Sequence, residues 1–190
     1  MNRNDNILNN WIITGLIDAE GSFGVNILED STRTLGYNTY ISLEMGLNYK
    51  DKPLLDNLQR SLGVGYVYYN PHDKTYKWKV SNINEISEII ITHFRKYYLL
   101  TQKRADFELF AKIVEIMLRK EHFTVKGLQD IVNLKASLNL GLNDTLKKSF
   151  TDTKAIPRPL VSFDGIPDPN WLLGFAEGEG CLFVSIYSEI

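Results

Sequence analysis

The sequence predicts an α+β fold in which a four-stranded antiparallel sheet carries helices on one face. Two pairs of segments alternate apolar and polar side chains, which is typical of half-buried strands. Segments with apolar residues at helical spacing precede, separate and follow these pairs, so the predicted order is α-β-β-α-β-β-α. A helix followed by a strand recurs near the end of the chain, which indicates the start of a second, similar domain.

The first hairpin follows an apolar helix, Trp11–Ala19, which we expect to stop before Gly21. Ser22–Leu28 is predicted as a strand with Phe23, Val25 and Ile27 inward. A polar loop, Glu29–Gly36, leads to the second strand, Tyr37–Leu47. Its predicted inward side chains are Ile41, Leu43, Met45 and Leu47.

The second hairpin follows a helix over Asp51–Leu62, whose leucines recur at helical spacing and which Gly63 closes. Val64–Tyr69 and Thr75–Ser81 flank an Asn-Pro-His-Asp turn and are predicted to pair. A helix over Asn84–Tyr97 comes next. Its predicted inward side chains are Ile86, Ile89, Ile90, Phe94 and Tyr97.

The rest of the chain is predicted as three helices, a linker rich in proline, and a final helix and strand. These elements are Gln102–Lys120, Thr124–Leu138, Asp144–Phe150, the linker Thr151–Pro169, helix Trp171–Gly178 and strand Cys181–Tyr187. We therefore expect a first domain over residues 1–150, a linker over 151–169, and the beginning of an incomplete second domain over 170–190.

Composition restricts the possible classes of protein. The 190 residues, 44% of them hydrophobic, allow a sizeable core. The single cysteine, Cys181, cannot form an intramolecular disulfide, which favours a reducing compartment. No apolar run is long enough to span a bilayer, so no membrane partner is expected. A net charge of −2 argues against a generally basic nucleic-acid binder but leaves room for a basic face.

The face of the predicted sheet opposite the helices is polar. This is typical of an ordinary solvent-exposed face, and equally of a surface that binds a polar ligand. Strands fit the DNA major groove, where side chains at period two reach base edges. The candidate DNA-binding residues on this face and its loops are Gly24, Asn26, Leu28, Asp30, Thr32, Arg33, Asn38, Tyr40, Ser42, Glu44, Tyr66, Tyr68, Asn70, Lys77, Lys79 and Ser81.

A repeat carries the strongest functional signal. Residues 15–21 read GLIDAEG and residues 174–180 read GFAEGEG, and each stretch leads into a predicted strand. The two copies lie 159 residues apart, which is about one domain length. Small residues four positions apart allow two helix backbones to approach closely. The candidate interface residues are Gly15, Ala19, Gly174 and Gly178.

Packing of the two helices would bring Glu20 and Glu179 together at their C-terminal ends. Each carboxylate there faces the negative end of a helix dipole, and the two repel each other. Divalent cations relieve both effects, and two ions at such a site can hydrolyse a phosphodiester. Either glutamate alone could be a solvated helix end. Asp18 and Glu177, two residues earlier, are read as capping or structural.

The stretches ITGLIDAEG (residues 13–21) and LLGFAEGEG (residues 172–180) resemble the LAGLIDADG motif of homing endonucleases. The resemblance is to single-chain members encoded in fungal mitochondrial introns, which implies a mitochondrial location. It implies two domains that form a saddle over double-stranded DNA, with the motif helices at their interface. The last acid of each motif would be catalytic and bind Mg²⁺, or Mn²⁺ or Ca²⁺, helped by the carbonyls of Ala19 and Gly178.

The resemblance also implies parts that this chain lacks. A polar or basic residue near the sheet's inner end also assists in the family, and the nearest positions here hold Glu44 and Asn82, neither of which is basic. We therefore expect any helper lysine to lie in the absent half of the second domain. That half would be a partner, and the 190-residue chain alone would be inactive.

Three functions fit these observations. The leading one is a metal-dependent endonuclease that cuts both DNA strands at a long site. The first alternative is a maturase of the same fold that binds intron RNA and assists group I splicing. The second is a DNA-binding protein that has lost cleavage. Acids at both motif ends favour the enzyme.

Overall fold

The computed structural model describes residues 7–180. Its helices are α1 Asn10–Glu20, α2 Lys52–Leu62, α3 Ile83–Glu85, α4 Thr92–Lys96, α5 Lys103–Leu118, α6 Val125–Lys135, α7 Asp144–Ser149 and α8 Pro169–Glu179. Its strands are β1 Gly21–Glu29, β2 Tyr37–Asn48, β3 Tyr66–Asn70 and β4 Thr75–Val80. The strand predicted over Cys181–Tyr187 lies outside the described residues.

The four strands form one antiparallel sheet in the order β1-β2-β4-β3. β2 is the longest, and it pairs with β1 along Tyr37–Met45 and with β4 along Leu43–Asn48. The register places Ser22 opposite Glu44, and Glu44 opposite Lys79. The predicted α+β fold with its antiparallel sheet is therefore confirmed, and the polar residues of three strands share one face.

The core lies between the sheet and the helices. Phe23 projects from β1 and its ring centroid lies 5.9, 5.7 and 5.2 Å from those of Phe94, Phe107 and Phe110. Trp78 on β4 is fully buried, and its indole donates a hydrogen bond to the Val64 carbonyl at 3.0 Å. The alternation predicted for β1 is confirmed, because Phe23, Val25 and Ile27 are all buried.

α1 passes into β1 without a loop. Asn9 caps its N-terminus by accepting a hydrogen bond from Trp11 N at 2.8 Å. Gly21 ends the helix and begins the strand, and a Cβ there would lie 2.6 Å from Ile17 Cγ2. This abrupt change fixes Glu20 at the junction between the helix and the inner end of the sheet.

One predicted inward residue points outward. α3 and α4 are joined by a π-helical stretch, Ile86–Ile91, so the helix predicted over Asn84–Tyr97 has a wider turn in its middle. The wider turn changes the phase of the side chains. Ile86 and Ile90 remain buried, but Ile89 is 37% exposed, and its predicted inward position was wrong.

The segment between α7 and α8 has no regular secondary structure, as its prolines predict. Its first half nevertheless packs on the domain, since Ile156 contacts the core and its N–H donates to the Asn133 carbonyl at 3.2 Å. α8 begins with Pro169 after an Asp168 cap. In residues 7–180, no helix is long and apolar enough to cross a bilayer.

Truncation of Phe23 to alanine should lower the free energy of unfolding by about 3–5 kcal/mol, because a cavity would replace a buried ring. Chemical denaturation of the chain measures this change. Phe123→Ala is the matched control, since Phe123 is 52% exposed and its loss should cost about 0.5 kcal/mol or less. Equal losses in both variants would contradict the packing described here.

Candidate active site and nucleic-acid interface

α1 and α8 cross with their backbones in direct contact. A Cβ added to Gly15 would lie 2.1 Å from the Trp171 carbonyl oxygen, and one added to Gly174 would lie 2.1 Å from that of Ile12. A Cβ at Gly178 would lie 2.5 Å from the Cβ of Ala19. The structure thus places all four small residues of the repeat in this contact, where no larger side chain fits.

Asp18 holds the crossing together from within. Its carboxylate is buried and accepts hydrogen bonds from Trp171 Nε1 at 2.9 Å and Leu100 N at 2.6 Å. Thr101 donates two more, from Oγ1 at 2.7 Å and from N at 3.3 Å. These four hydrogen-bond donors compensate the buried Asp18 carboxylate for the loss of its hydration. Asp18 therefore joins α1, α8 and the start of α5.

Glu20 lies beside the second motif helix. A Cβ at Gly178 would be only 3.1 Å from Glu20 Cγ, so the glutamate chain rests against that glycine. Burial raises the pKa of Glu20, the negative charge of Glu179 raises it further, and Lys103 lowers it. Glu179 itself is exposed. The charge of Glu179 is therefore close enough to disfavour the ionised form of Glu20.

Lys103, which the sequence analysis did not assign to the site, completes this group. Its ammonium donates to the carbonyls of Ile17 at 3.0 Å and Ala19 at 2.9 Å. Burial lowers the pKa of Lys103, although the neighbouring carboxylates, including Glu20 and Glu179, act in the opposite direction. A lysine in the first turn of a helix opposes the helix dipole, and that unfavourable placement is a sequence signal for it.

The available donors suit a hard divalent cation. The carboxylates of Glu20 and Glu179 and the carbonyls of Ala19 and Gly178 are all oxygen ligands, which Mg²⁺, Mn²⁺ and Ca²⁺ accept. Lys103 uses one lone pair of the Ala19 carbonyl and leaves the other. Between residues 7 and 180, no three His, Cys, Asp or Glu side chains cluster as a site. Phosphate oxygens and water would have to complete the coordination.

The outer face of the sheet carries a compact charged network around Glu44. Lys77 Nζ lies 3.3 Å from Glu44 Oε1, and Lys79 Nζ lies 3.4 Å from Oε2. Tyr68 donates its hydroxyl to Oε2 at 3.2 Å. Burial lowers the pKa of Lys77, but its bonds to Glu44 and Asp73 outweigh this effect and raise the pKa overall. Lys77 is thus held as an ammonium ion on this face.

The other candidate DNA-binding residues differ in their exposure. Ser42 is only 9% exposed, and its Oγ would be 2.7 Å from a Cβ on Gly24, so these two residues pack on each other. The Asn38 amide donates to the Tyr40 hydroxyl at 3.0 Å. Half-buried positions are Gly24, Asp30, Asn38, Glu44, Tyr68, Asn70, Lys77 and Lys79; exposed ones are Asn26, Leu28, Thr32, Arg33, Tyr40, Tyr66 and Ser81.

A groove of about 810 Å³ borders the half of this face that is farther from Glu20. Asn26, Tyr40 and Lys79 line one side, and the turn after α5 lines the other. That turn contributes Lys120, His122 and Phe123, which sequence reasoning did not assign to the face. Sequence patterns could not assign these residues to the face, because the last strand ends at Val80 and only the fold brings the turn after α5 next to the sheet.

Known proteins resemble this chain in sequence and in fold. The family model described as LAGLIDADG endonuclease matches residues 13–114. The "Probable intron-encoded endonuclease 3" of Neurospora crassa is 40% identical over 91% of this chain and 33% of its own length. The "Probable intron-encoded endonuclease 2" of the same fungus is 37% identical over 94% of this chain and 42% of its own length.

Solved structures agree with the fold in detail. The I-LtrWI LAGLIDADG homing endonuclease bound to target DNA superposes with a TM-score of 0.91 at 46% identity, over 95% of this chain and 60% of that one. The chain spans less than two thirds of these relatives. Since the family model matches more than half of the residues and the fold agrees, the chain belongs to the LAGLIDADG endonuclease family.

Proposed function

We propose that this chain is the first domain and the beginning of the second domain of a homing endonuclease that hydrolyses both strands of duplex DNA at a long site. The observation that carries the proposal is the meeting of Glu20, Glu179 and Lys103 where α1 and α8 end. Like-charged carboxylates at that point are unfavourable unless a cation binds them. The DNA in the I-LtrWI complex supports the same ligand here.

Glu20 and Glu179, with the carbonyls of Ala19 and Gly178, would hold divalent ions in this proposal. Such ions lower the pKa of bound water and neutralise charge on a scissile phosphate. The I-SmaMI endonuclease, a relative at 38% identity, has been solved with uncleaved DNA and calcium ions. That structure supports a divalent ion but not the choice among Mg²⁺, Mn²⁺ and Ca²⁺.

Lys103 has a separate role in the proposed chemistry. Its ammonium fixes the Ala19 carbonyl at 2.9 Å and adds positive charge beside Glu20. A positive charge there stabilises the negative charge that develops on a phosphate during hydrolysis. Lys103 therefore partly counteracts the rise in the pKa of Glu20 and offsets the negative charge of the site.

The outer sheet face is proposed to bind the DNA that flanks the cut. Lys77 and Lys79 can turn from Glu44 to phosphates, while Asn26, Asn38 and Tyr40 stand at the spacing that reaches base edges. The missing remainder of the second domain would supply the other half-site. The fungal relatives named as intron-encoded support an intron origin, and we extend this to a mitochondrial location.

Glu20→Gln, in a protein that joins this chain to a complete second domain, should abolish cleavage while DNA binding persists. A neutral amide binds a divalent cation poorly and repels phosphate less. At low Mg²⁺, cleavage by the parent should fall on acidification at a higher pH than for an ordinary glutamate, because protons compete with the ion for Glu20 and its pKa without metal is raised. Plasmid cleavage and gel-shift assays with Mg²⁺ measure both effects.

Glu177→Gln is the control for this variant. Glu177 is exposed on α8, two residues before Glu179, and its loss should leave cleavage unchanged. Undiminished cleavage by Glu20→Gln would remove that residue from the site. If neither the parent nor the variants cut DNA, but all of them assisted splicing of an intron RNA, the maturase alternative would replace the endonuclease.

Lys103→Met should slow single-turnover cleavage by about 100-fold with little change in DNA affinity, because a charge that stabilises the transition state is lost. Lys112→Met is the matched control, since Lys112 is exposed on the same helix. Rapid-quench kinetics at saturating enzyme measure the rate. Equal rates for the two variants would contradict the role of Lys103.

Lys77→Ala should weaken DNA binding and reduce the slope of log K against log salt by about 0.9, the value for one phosphate contact. Fluorescence anisotropy between low and moderate salt measures the slope. Lys126→Ala is the control, because Lys126 lies on α6 and is highly exposed. If the Lys77 and Lys126 variants had the same slope as the parent, Lys77 would not contact phosphate.

A further inference from the structure

The segment after α7 is fastened to the domain at three successive points. Lys154 N donates to the Asn133 side chain at 2.9 Å, and Ile156 N donates to the Asn133 carbonyl at 3.2 Å. Arg158 then makes the last and strongest attachment. Beyond it, Leu160 is fully exposed. Arg158 is therefore the point at which the chain leaves the first domain toward α8.

Arg158 binds the first turn of α5 through hydrogen bonds and an ion pair. Its Nη1 donates to Asp106 Oδ1 at 2.7 Å and its Nη2 donates to Oδ2 at 3.1 Å, a two-pronged ion pair. The same guanidinium donates to the carbonyls of Ser137 at 2.8 Å and Gln102 at 3.2 Å. The Asp106 side chain is only 13% exposed, so this pair is better shielded than an ordinary surface ion pair.

Two of these acceptors bracket Lys103. Gln102 precedes it and Asp106 lies three residues after it, in a turn whose N-cap makes no side-chain hydrogen bond. The turn is instead held from two sides. Asp18 binds the amides of Leu100 and Thr101, and Arg158 binds Gln102 and Asp106. Lys103 N also donates to Thr101 Oγ1 at 3.1 Å, and Asp106 also accepts from Asn139 N at 3.0 Å. Loss of Arg158 would therefore loosen one side of the turn and allow Lys103 to shift relative to the Ala19 carbonyl.

We propose that Arg158 is a positioning residue that places the Lys103 ammonium against the Ala19 carbonyl. The linker is then a part of the active-site architecture as well as a tether to the second domain. The effect on cleavage rests on the proposed function of Lys103. The effect on the first turn of α5 depends on the structure alone.

α5 contains a matched control for this proposal. Arg95 Nη1 donates to both carboxylate oxygens of Glu108 at 2.8 Å, so it also ties an arginine to an acid on α5. That pair lies outside the first turn and makes no contact with the linker. Loss of either pair removes one arginine–carboxylate interaction from the same helix, but only Arg158 should affect Lys103.

Hydrogen exchange of the 190-residue chain tests the structural step. Arg104 N and Ala105 N donate to the carbonyls of Thr101 and Gln102, so their amides report on this turn. Arg158→Ala should speed their exchange by about tenfold, and Arg158→Lys, which keeps charge but lacks the fork, should fall between. Arg95→Ala should leave them unchanged. Unchanged exchange in Arg158→Ala, or an equal increase in Arg95→Ala, would overturn the proposal.

A double-mutant cycle in a cleaving, two-domain protein tests the functional step. Arg158→Ala should lower the single-turnover rate by about tenfold while the Kd for DNA stays within about twofold. Combined with Lys103→Met it should cause no further loss, because both changes remove the same contribution. Additive losses would refute action through Lys103. A parental rate for Lys103→Met would refute the role of Lys103 itself, while the exchange result would still stand.

Discussion

The site depends on the backbone contact between α1 and α8 at Gly15 and Gly174. Each glycine faces a carbonyl of the other helix so closely that a single added carbon would separate them. Only at this separation can the Trp171 indole reach the Asp18 carboxylate at 2.9 Å and Glu20 rest on Gly178. The absence of side chains at two positions therefore determines the placement of acids at the ends of both helices.

The acids in this region are separated into two roles by their surroundings. Asp18 is saturated by four hydrogen-bond donors and has no capacity left for an ion or a substrate. Within residues 7–180, no such donor binds Glu20, which is partly desolvated and faces Glu179, so it retains lone pairs that a cation can use. The surroundings of these two residues of one motif thus suit a structural task for Asp18 and a chemical task for Glu20, a difference that the sequence spacing alone does not reveal.

Sequence patterns predicted the elements because burial on one side imposes a period on each strand and helix. They failed at Ile89, where a π-helical turn changes the helical period although the segment contains no proline or glycine that would indicate it. They missed Lys103 because its partners are backbone carbonyls more than 80 residues away, and its place in the first turn of a helix, the one signal for it, does not identify those partners. They placed Glu44 on the outer face but not within its ion pairs, which depend on the register of three strands.

The net charge of the chain does not reveal the lysines of the outer face, because they are neutralised locally by acidic side chains. Glu44 stands between Lys77 and Lys79, and it holds both ammonium groups on the outer face before any ligand arrives. In the proposed complex, phosphates would compete with Glu44 for these lysines. Each lysine–phosphate contact must therefore be more favourable in free energy than the ion pair with Glu44 that it replaces. A carboxylate released in this way can accept a hydrogen bond from the amino group of cytosine. Glu44 would thus weaken the nonspecific attraction of the two lysines for DNA and become available to recognise a base. Recognition of a long site requires both weak nonspecific binding and contacts to bases.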